Sequence, residues 1–330
     1  MSFRDGKQLK ETYRRAQSGG YAFMANNVVE SNVLLGLLQA YSDASSHLVV
    51  QITPGAAKYV GGGDKRAGLR ALCRLIHETA EAFPIAVFVN LDHFTVGEMD
   101  LIRVAIDERL VSSIMIDASQ ESFEENVRIS REVVGMASGS GILIESELGK
   151  IKGVEDEIAS YEALYTDPEE AVEFIRRTGA DLLAISIGTQ HGVSKGRDIE
   201  LRIDLAEAIR AELEKNDLDA PLVLHGSSGL LPDQVRDVIR HGVCKLNKDT
   251  HYQYAYGRAA CSFYLENSEA VLPPEGVEDD VMNLFAGSAW SPDKAIFDPR
   301  VVGREIQRQV VAIATELIRQ AGSAGSATAE

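Results

Sequence analysis

The sequence predicts an α/β protein, a closed (β/α)8 barrel with an additional N-terminal helix and a C-terminal helical extension. Eight short apolar runs rich in β-branched residues alternate with longer segments of helical period along most of the 330 residues. The runs are continuously apolar, which is typical of parallel strands that helices cover on the outer face. Eight strand–helix units are accommodated most economically when the sheet closes on itself.

Each predicted strand is short enough to be buried and is followed by a segment that can cover it. The strands are predicted at residues 21–29, 48–54, 85–92, 113–118, 142–149, 182–188, 221–226 and 243–250. The helical segments between them open on serine or aspartate caps or carry proline in the first turn, as in SNVLLGLLQAYSDA and DPEEAVEFIRRTGA. An open doubly wound sheet is the alternative, and the absence of GxGxxG after the first run disfavours it.

Residues 1–320 are predicted to form one barrel domain. The opening segment MSFRDGKQLKETYRRAQSGG predicts a charged amphipathic helix. Residues 267–298 interrupt the strand–helix rhythm with prolines and acids, and we interpret them as an excursion before a final helix at 299–320. The last segment, 321–330, is small and polar and is predicted to be disordered.

Charge and cysteine content exclude several classes of partner. Acidic residues outnumber basic ones by 50 to 33, giving a net charge of −17, which argues against nucleic acid and anionic membranes. The excess acid either serves solubility or reflects a saline cytoplasm. The three cysteines lack CxxC spacing and no apolar run approaches the length of a membrane span. These observations predict a cytoplasmic protein.

Three histidines follow predicted strands at equivalent positions. His93 follows the third strand, His191 the sixth, and His225 ends the seventh. Reactive groups in such barrels gather at the carboxyl ends of the strands. A single histidine there is more often a hydrogen-bonded core or loop residue, but three imidazoles from separate strands resemble an open catalytic metal site.

The remaining histidines are less suitable as ligands. His251, just after the eighth strand, is the one competitor. The others are predicted to lie away from the carboxyl ends of the strands: His47, His77 and His241.

Carboxylates stand at several of the same strand ends. They are Asp92, Asp117, Glu145, Glu147, Glu155 and Asp156. A metal ion that polarises a carbonyl makes the neighbouring carbon acidic, and separate carboxylates can then move the protons. Alternatively, a carboxylate can orient a metal-bound imidazole or pair with Lys150 or Lys152. We expect such an orienting role for at least one of Asp117, Glu145 and Glu147.

The stretches LVLHGSSG and KLNKDT indicate a phosphate site. Glycine and serine after the seventh strand allow backbone N–H groups to approach an anion, and Asn247, Asp249 and Thr250 follow the eighth. Loops after these two strands commonly hold phosphate in such barrels. For HGSSG alone, a tight turn without a ligand is equally plausible, and the pairing with NKDT favours phosphate.

Taken together, these motifs resemble the class II, zinc-dependent fructose-bisphosphate and ketose-bisphosphate aldolases. The strongest matches are LDH, SSIMIDAS, ESELG with GVED, IGTQHGVSKG, LVLHGSSG and KLNKDT, and the resemblance covers nearly the whole chain. It implies a TIM barrel and reversible cleavage of fructose 1,6-bisphosphate to dihydroxyacetone phosphate and glyceraldehyde 3-phosphate, in glycolysis or gluconeogenesis. It also implies a homodimer or homotetramer.

The resemblance assigns roles to individual residues. The ligands of a Zn²⁺ ion match His93, His191 and His225, with a secondary metal position at Asp117 and Glu147. Co²⁺ or Fe²⁺ in place of zinc, and a monovalent cation near the phosphate, remain open alternatives.

Proton transfer and substrate contacts follow from the same match. Asp92 matches the acid that serves the aldehyde oxygen, Glu155 the carboxylate that deprotonates dihydroxyacetone phosphate, and Asn27 an asparagine that hydrogen-bonds the enediolate. The phosphate and triose contacts match Gly192, Gly226, Ser228, Asn247, Asp249 and Thr250, and Arg300 matches an arginine that reaches the far phosphate, in some members from a partner subunit.

The chain departs from the family pattern at several positions. Val154 replaces an acid before GVED's glutamate, which weakens any second metal site, and Ser227 replaces a glycine of HGGSG. Thr53 replaces a serine, and Asn90 and Leu91 replace a histidine and a threonine. Aldehyde specificity is therefore predicted less sharply than the chemistry.

The sequence leaves three rival functions to weigh. The nearest is an aldolase for tagatose 1,6-bisphosphate or another phosphorylated ketose, which differs in the configuration of one hydroxyl. A metal-dependent hydrolase on the same barrel is a remote alternative, disfavoured because the first strand lacks a closely spaced histidine pair. A catalytically silent sugar-phosphate binding protein is disfavoured because the candidate catalytic carboxylates and all three histidines are present together.

Overall fold

The computed structural model describes residues 3–151, 153–155, 158–160, 164–192, 199–278, 281–282 and 290–328, with backbone alone described for 153–155 and 158–160. Within these ranges the strands are β1 (Phe23–Asn27), β2 (Leu48–Ile52), β3 (Val87–Phe94), β4 (Ser113–Ile116), β5 (Leu143–Leu148), β6 (Gly153–Glu155), β7 (Ile158–Ser160), β8 (Leu182–Ile185), β9 (Leu222–Leu224) and β10 (Val243–Lys248). The helices in the same ranges are α1 (Gly6–Gly19), α2 (Ser31–Asp43), α3 (Pro54–Val60), α4 (Lys65–Ala80), α5 (Met99–Asp107), α6 (Phe123–Ala137), α7 (Pro168–Thr178), α8 (Ile203–Lys215), α9 (Pro232–Arg240), α10 (Thr250–Glu266), α11 (Ser268–Val271), α12 (Lys294–Phe297) and α13 (Pro299–Ala321).

A closed parallel barrel forms the centre of the molecule. Its strands follow one another around the barrel in the order β1-β10-β9-β8-β5-β4-β3-β2. Every one of the eight predicted strands overlaps a barrel strand, so the predicted fold class is confirmed. The antiparallel pair β6–β7 lies outside the barrel and was not predicted. It belongs to the loop after β5, where barrels of this kind carry functional loops.

The helices begin where their sequences supply a cap. The side chain of Asp64 accepts hydrogen bonds from the backbone N–H groups of Arg66 and Ala67 at the start of α4. Asp167 does the same for α7, which also has Pro168 in its first turn. These caps satisfy backbone donors that the helix leaves unpaired, and they fix the helix ends beside the strands they cover.

Helix α1 closes the N-terminal end of the barrel. Its residues Leu9, Tyr13 and Ala16 are fully buried and pack in one cluster with Phe23 and Phe88 from the barrel interior. We call this cluster, with its remaining members, the apolar plug: Ala25, Val49, Ala86, Leu143, Leu182, Ala184, Val223 and Cys244. Hydrophobic burial closes this end of the barrel, which leaves the carboxyl ends of the strands for ligand binding.

The C-terminal helix packs tightly on the outer layer. A Cβ atom on Gly36 of α2 would lie 2.8 Å from Cβ of Val310 in α13, so only glycine allows this helix pair to approach so closely. Helix α13 also packs against α10. The C-terminal extension therefore covers the barrel beside β1.

The last residues differ from the sequence-based expectation. Segment 321–330 was predicted to be disordered, but in its described part Ser323 is buried and bonds to Ser46 through their Oγ atoms at 3.0 Å. The N–H of Gly325 donates to the carbonyl of Ala44 at 2.9 Å. The prediction is corrected because the loop after α2 supplies hydrogen-bond partners that composition does not reveal.

The excursion at 267–298 is only partly described. It begins with α11 and ends with α12, and the N–H of Asp293 donates to the carbonyl of Ala270 at 2.8 Å, which ties the two ends together. Trp290 is half-buried. Among the described helices none is both long and apolar enough to cross a membrane.

Candidate active site

The end of β3 turns two consecutive side chains towards the same site. Asp92 is fully buried and His93 is 3% exposed. His93 has φ 52°, in the left-handed region that residues with a Cβ seldom adopt. The register between β3 and β4 also shifts between Leu91 and Phe94. Consecutive side chains of a regular strand point to opposite faces, so this local irregularity lets both residues reach the site.

His93 and His225 face each other across the mouth of the barrel. The distance between Nε2 of His93 and Nδ1 of His225 is 2.9 Å. The outer nitrogen of each ring is held by a carboxylate: Nδ1 of His93 lies 3.0 Å from Oδ2 of Asp117, and Nε2 of His225 lies 2.8 Å from Oε1 of Glu145. The orienting role predicted for a carboxylate therefore matches the geometry of both Asp117 and Glu145.

These contacts fix the tautomers of the two rings. A carboxylate only accepts hydrogen bonds, so the outer nitrogens carry the protons and the inner nitrogens present lone pairs to each other. Nδ2 of Asn247 lies 3.1 Å from Nδ1 of His225 and 3.3 Å from its Nε2. Two lone pairs at such a distance repel one another unless a cation lies between them. The donor set thus fits a divalent metal ion that imidazole nitrogens prefer.

His191 lies beside this pair. The centroid of its ring is 5.3 Å from that of His93 and 6.4 Å from that of His225. The compact groups of potential ligand atoms in the described residues are Asp92–His93–His225 and His93–Asp117–Glu147, so His191 and His251 belong to neither. The structure brings all three predicted histidines together, with His191 slightly apart.

Two carboxylates lie close together behind His93. Burial by itself would raise the pKa of Asp117, but hydrogen bonds from His93 and Ser119 hold the pKa well below its usual range. Burial and the charge of Asp117 raise the pKa of Glu147. Oε2 of Glu147 is buried without a hydrogen-bond partner among the described residues. A cation near this pair would relieve the repulsion, which is consistent with a secondary metal position there.

Glu145 connects the histidines to a buried lysine. Its Oε2 accepts from Nζ of Lys245 at 2.6 Å while its Oε1 binds His225. Burial alone would raise the pKa of Glu145, but Lys245 and His225 lower it to about 2. Burial lowers the pKa of His225, so its ring stays neutral as metal binding requires.

Asp92 is held by two amide groups. Oδ2 accepts from Nδ2 of Asn27 at 3.0 Å, and Oδ1 accepts from Nδ2 of Asn247 at 2.9 Å. Gln51 extends this network by donating from Nε2 to Oδ1 of Asn27 at 3.0 Å. The carboxylate is therefore fixed in orientation beside the histidine pair, with each oxygen acting as an acceptor.

The HGSSG loop packs closely on the loop that carries His191. Gly226 has φ 62°, and a Cβ atom on it would lie 2.8 Å from the carbonyl carbon of Gln190. Only glycine satisfies both conditions. A short 3₁₀ turn, Ser227–Gly229, follows, and Ser228 is half-buried. Gly192, with φ 79°, ends the described part of the neighbouring loop.

A cleft of about 540 Å³ opens beside Asn27, whose side-chain amide donates to Asp92. It extends from Asn27 past Thr53, the N-cap of α3, to Asp249 at the start of α10. Its outer wall is aromatic and includes Tyr59 and Tyr256. The cleft lies at the carboxyl ends of the first, second and last barrel strands, next to the amide network that holds Asp92.

Some predicted residues lie elsewhere. The side chain of Glu155, and Asp156 altogether, fall outside the described residues. The side chain of Arg300 is 82% exposed, pairs with Asp298, and does not line the described cleft. His47, His77 and His241 lie away from the site: for example, Nδ1 of His47 accepts from the N–H of Ala86 in the apolar plug.

Sequence reasoning missed the two buried lysines of β10. Lys245 and Lys248 are both fully buried, and Lys245 orders Glu145 as described above. The available signal was their position in VCKLNK, because lysine is rarely buried without a partner. Gln51 of β2 was also missed, although it too is a polar residue inside an apolar run, LVVQITP.

Comparison with known proteins agrees with this geometry. The family model described as "Fructose-bisphosphate aldolase class-II" matches residues 7–326. The chain is 32% identical over 317 residues to the fructose-bisphosphate aldolase of Mycobacterium leprae, covering 88% of each chain. It is 34% identical over 266 residues to the D-tagatose-1,6-bisphosphate aldolase subunit GatY of Klebsiella oxytoca, covering 80% of this chain and 88% of that one.

A solved structure shares the fold. The crystal structure of fructose-bisphosphate aldolase from Campylobacter jejuni superposes with a TM-score of 0.82 at 24% identity, covering 98% of this chain and 96% of that one. With the family model spanning nearly all of the barrel, the sequence resemblance and the fold lead to one assignment. The chain belongs to the class II fructose-bisphosphate aldolase family of lyases.

Proposed function

We propose that the protein catalyses reversible aldol cleavage of fructose 1,6-bisphosphate to dihydroxyacetone phosphate and glyceraldehyde 3-phosphate. The observation that carries the proposal is the cluster of His93, His225 and Asp92, whose potential ligand atoms lie within 4.8 Å of one another at the carboxyl ends of the strands. Family membership supplies the reaction class, and the cleft beside Asn27 has room for a phosphorylated sugar.

The proposed metal ligands are His93, His191 and His225, with Zn²⁺ as the ion and Asp117 with Glu147 as a secondary position. The bound ion would polarise the ketone and stabilise negative charge on the neighbouring oxygen, as metal ions do in catalysis. Asp117 and Glu145 would keep the two imidazoles in the tautomer that offers lone pairs. Neutral histidine suits Zn²⁺, Co²⁺ and Fe²⁺, and zinc is preferred here from the family resemblance.

Proton transfer is proposed for two carboxylates. In cleavage, Asp92 would take the proton of the C4 hydroxyl as the C3–C4 bond breaks and the aldehyde leaves. In condensation it would return that proton to the aldehyde oxygen. Asn27 donates to Asp92 and is therefore suited to hold both this carboxylate and the triose in position. Glu155, assigned by its match to GVED, would remove the proton from dihydroxyacetone phosphate in the condensation direction.

The phosphate of the triose is proposed to bind at the loops after β9 and β10. The contributing residues are Gly192, Gly226, Ser228, Asn247, Asp249 and Thr250. Their backbone N–H groups and short side chains allow close approach to an anion. Arg300 is proposed to reach the far phosphate from a partner subunit, because its exposed position in a single chain suits contact with another molecule.

The protein is proposed to be a cytoplasmic homodimer or homotetramer of glycolysis or gluconeogenesis, with residues 1–320 acting as one barrel domain. The three free cysteines suit a reducing compartment. A monovalent cation near the phosphate is also compatible with the oxygen-rich loop after β10.

Cleavage of tagatose 1,6-bisphosphate is the second candidate. One relative of nearly equal similarity is named as a tagatose-bisphosphate aldolase subunit, which is the observation that favours it. The two substrates differ in the configuration of one hydroxyl, and we expect this difference to change transition-state binding by roughly 1–3 kcal/mol.

The test is turnover of both sugars by the zinc-loaded protein, followed as release of triose phosphate. We expect a higher kcat/KM for fructose 1,6-bisphosphate. A preference for tagatose 1,6-bisphosphate would retain the chemistry and change the substrate. Absence of cleavage of either sugar by a folded, zinc-loaded protein would contradict the proposal.

A further inference from the structure

Lys248 is a buried cation at the end of β10 that the proposed reaction does not use. Its side chain is 2% exposed, and its Nζ donates to the carbonyl oxygen of Ser227 at 2.6 Å. Lys245 lies on the same strand and pairs with Glu145, but no carboxylate in the described part of the chain forms an ion pair with Lys248. A buried ammonium group whose partner is a neutral carbonyl is energetically costly unless an anion binds nearby.

The carbonyl that Lys248 binds belongs to the HGSSG loop. The peptide group between Ser227 and Ser228 has its oxygen on Lys248 and its N–H in the 3₁₀ turn. A charge-assisted hydrogen bond to a peptide oxygen polarises the whole amide, which makes the N–H of that same peptide a stronger donor. The N–H in question is that of Ser228, one of the proposed phosphate contacts.

A second bond ties the same turn to β10 from the other direction. Oγ of Ser227 donates to the carbonyl of Asn247 at 2.7 Å. Ser227 and Lys248 thus bind reciprocally, each donating to the backbone of the other's segment. The turn after β9 cannot shift relative to β10 without breaking both bonds, and these two segments carry most of the proposed phosphate contacts.

Burial also makes the charge of Lys248 responsive to its surroundings. Loss of solvent lowers the pKa of Lys248 to about 7. The same cation helps burial to lower the pKa of His251, the next ionisable side chain on α10, to about 4. An anion bound at the turn would offset the cost of burying the ammonium, so anion binding and the charged form of Lys248 favour each other.

We propose that Lys248 is a positioning residue for the substrate phosphate, which it serves by fixing and polarising the Ser227–Ser228 peptide and by supplying the positive charge behind the loop. The inference rests on the proposed function in one respect, namely that a phosphate group binds at this loop. Lys248 itself touches neither the metal ligands nor Asp92 in the described contacts.

The test compares phosphate affinity among variants of the zinc-loaded, full-length protein. Lys248→Met removes both charge and donor at similar volume, and Lys248→Gln removes the charge while keeping a donor for Ser227. Inorganic phosphate is titrated by calorimetry, and KM and kcat are measured with fructose 1,6-bisphosphate. We expect both variants to bind phosphate about tenfold more weakly and to raise KM by a similar factor, with kcat changed far less.

Two controls separate the charge from the packing. Lys215→Met removes an exposed lysine of α8 and should bind phosphate as the wild type does. Ser227→Ala removes the bond to Asn247 but leaves the cation, so we expect a smaller loss of phosphate affinity than in either Lys248 variant. The thermal midpoint of each variant reports whether it is folded.

The outcomes distinguish this inference from the proposed function. Wild-type phosphate affinity in a folded Lys248→Met or Lys248→Gln protein would overturn the role of Lys248, even if cleavage proceeds normally. An equal loss in Ser227→Ala and the Lys248 variants would overturn the role of the charge. Weaker phosphate binding in a protein that cleaves neither bisphosphate would support Lys248 while contradicting the proposed substrate.

Discussion

The two ends of the barrel both contain buried polar atoms without a described hydrogen-bond partner, but the surroundings of these atoms differ. At the N-terminal end, the hydroxyl of Tyr13 is buried in the apolar plug without a hydrogen-bond partner among the described residues. At the carboxyl end, Oε2 of Glu147 and Oδ1 of Asn247 are in the same condition, but they are surrounded by histidines and carboxylates. An orphan atom among apolar side chains only costs stability, whereas one among ligand groups remains available for binding.

At the carboxyl end, a backbone irregularity falls on a proposed metal ligand itself. His93 combines a left-handed φ with the register shift between β3 and β4, whereas the other described left-handed residues with a Cβ atom, Ser45, Arg109 and Asp217, lie in loops that precede strands. Strain of this kind persists only where the rest of the fold stabilises it. The apolar plug and the outer helices therefore provide stability, and the opposite end carries the chemistry.

The largest expected effect is a loss of turnover from a substitution at the carboxyl end. Asp92→Ala should lower kcat by about 10²–10⁴-fold, because it removes the proposed general acid–base while leaving the histidines in place. The thermal midpoint and the zinc content should change little. Steady-state cleavage of fructose 1,6-bisphosphate measures the effect.

Asp107→Ala, at an exposed aspartate that ends α5, is the matched control and should retain wild-type turnover. Near-normal kcat in the Asp92 variant would remove this residue from the mechanism.

A substitution in the apolar plug is expected to lower stability and to leave turnover unchanged. Phe88→Ala should lower the free energy of unfolding by about 3–5 kcal/mol, since a large buried ring is replaced by a cavity. Turnover per folded molecule should stay close to that of the wild type. Chemical denaturation and active-site titration separate the two quantities. A variant of normal stability but poor turnover would mean that the two ends are not independent.

An intermediate effect is expected behind the histidines. Asp117→Asn preserves the shape of the side chain but removes the carboxylate that holds Nδ1 of His93. We expect zinc affinity to fall by about 10–100-fold, as it does when outer partners of ligating histidines are changed. Competition with a chromogenic chelator measures it.

The control for this variant is Asp107→Asn, which should bind zinc normally. An unchanged zinc affinity in Asp117→Asn would show that His93 does not depend on Asp117 for its orientation.

The smallest expected effect concerns the buried hydroxyl of Tyr13 and is measured as a change in the free energy of unfolding. Tyr13→Phe removes a buried hydroxyl that has no described partner, so the free energy of unfolding should be unchanged or rise by up to about 1 kcal/mol. Tyr41→Phe is the matched control, because Nδ2 of Asn26 donates to its hydroxyl at 3.0 Å. That variant should lose about 0.5–1.5 kcal/mol. Equal losses in the two variants would show that the Tyr13 hydroxyl is hydrogen-bonded in solution.

The sequence predicted the barrel and the general position of the site because both depend on local patterns. Continuous apolar runs identify parallel strands, and a histidine after such a run must lie near the carboxyl end. The contacts between segments were less accessible. The bond between Lys248 and Ser227 and the packing of Ser323 on Ser46 join residues far apart in the chain. Composition predicted disorder for the second of these segments because small polar residues reveal nothing about their partners.

The geometry at His93 was also beyond the sequence pattern. LDH indicates two adjacent polar residues at a strand end, and regular alternation would send them to opposite faces. The left-handed backbone and the shifted pairing with β4 bring both into one site. Such irregularities are set by long-range packing, which no local rule encodes.

The most direct test of the metal-centred site is a zinc titration of the chelator-treated protein, with cleavage of fructose 1,6-bisphosphate measured at each addition. We expect activity to vanish with the metal and to return in proportion to bound zinc, reaching its plateau near one ion per chain. Full cleavage by protein shown to be free of metal would contradict the role of His93, His191 and His225 as the ligands of a catalytic ion.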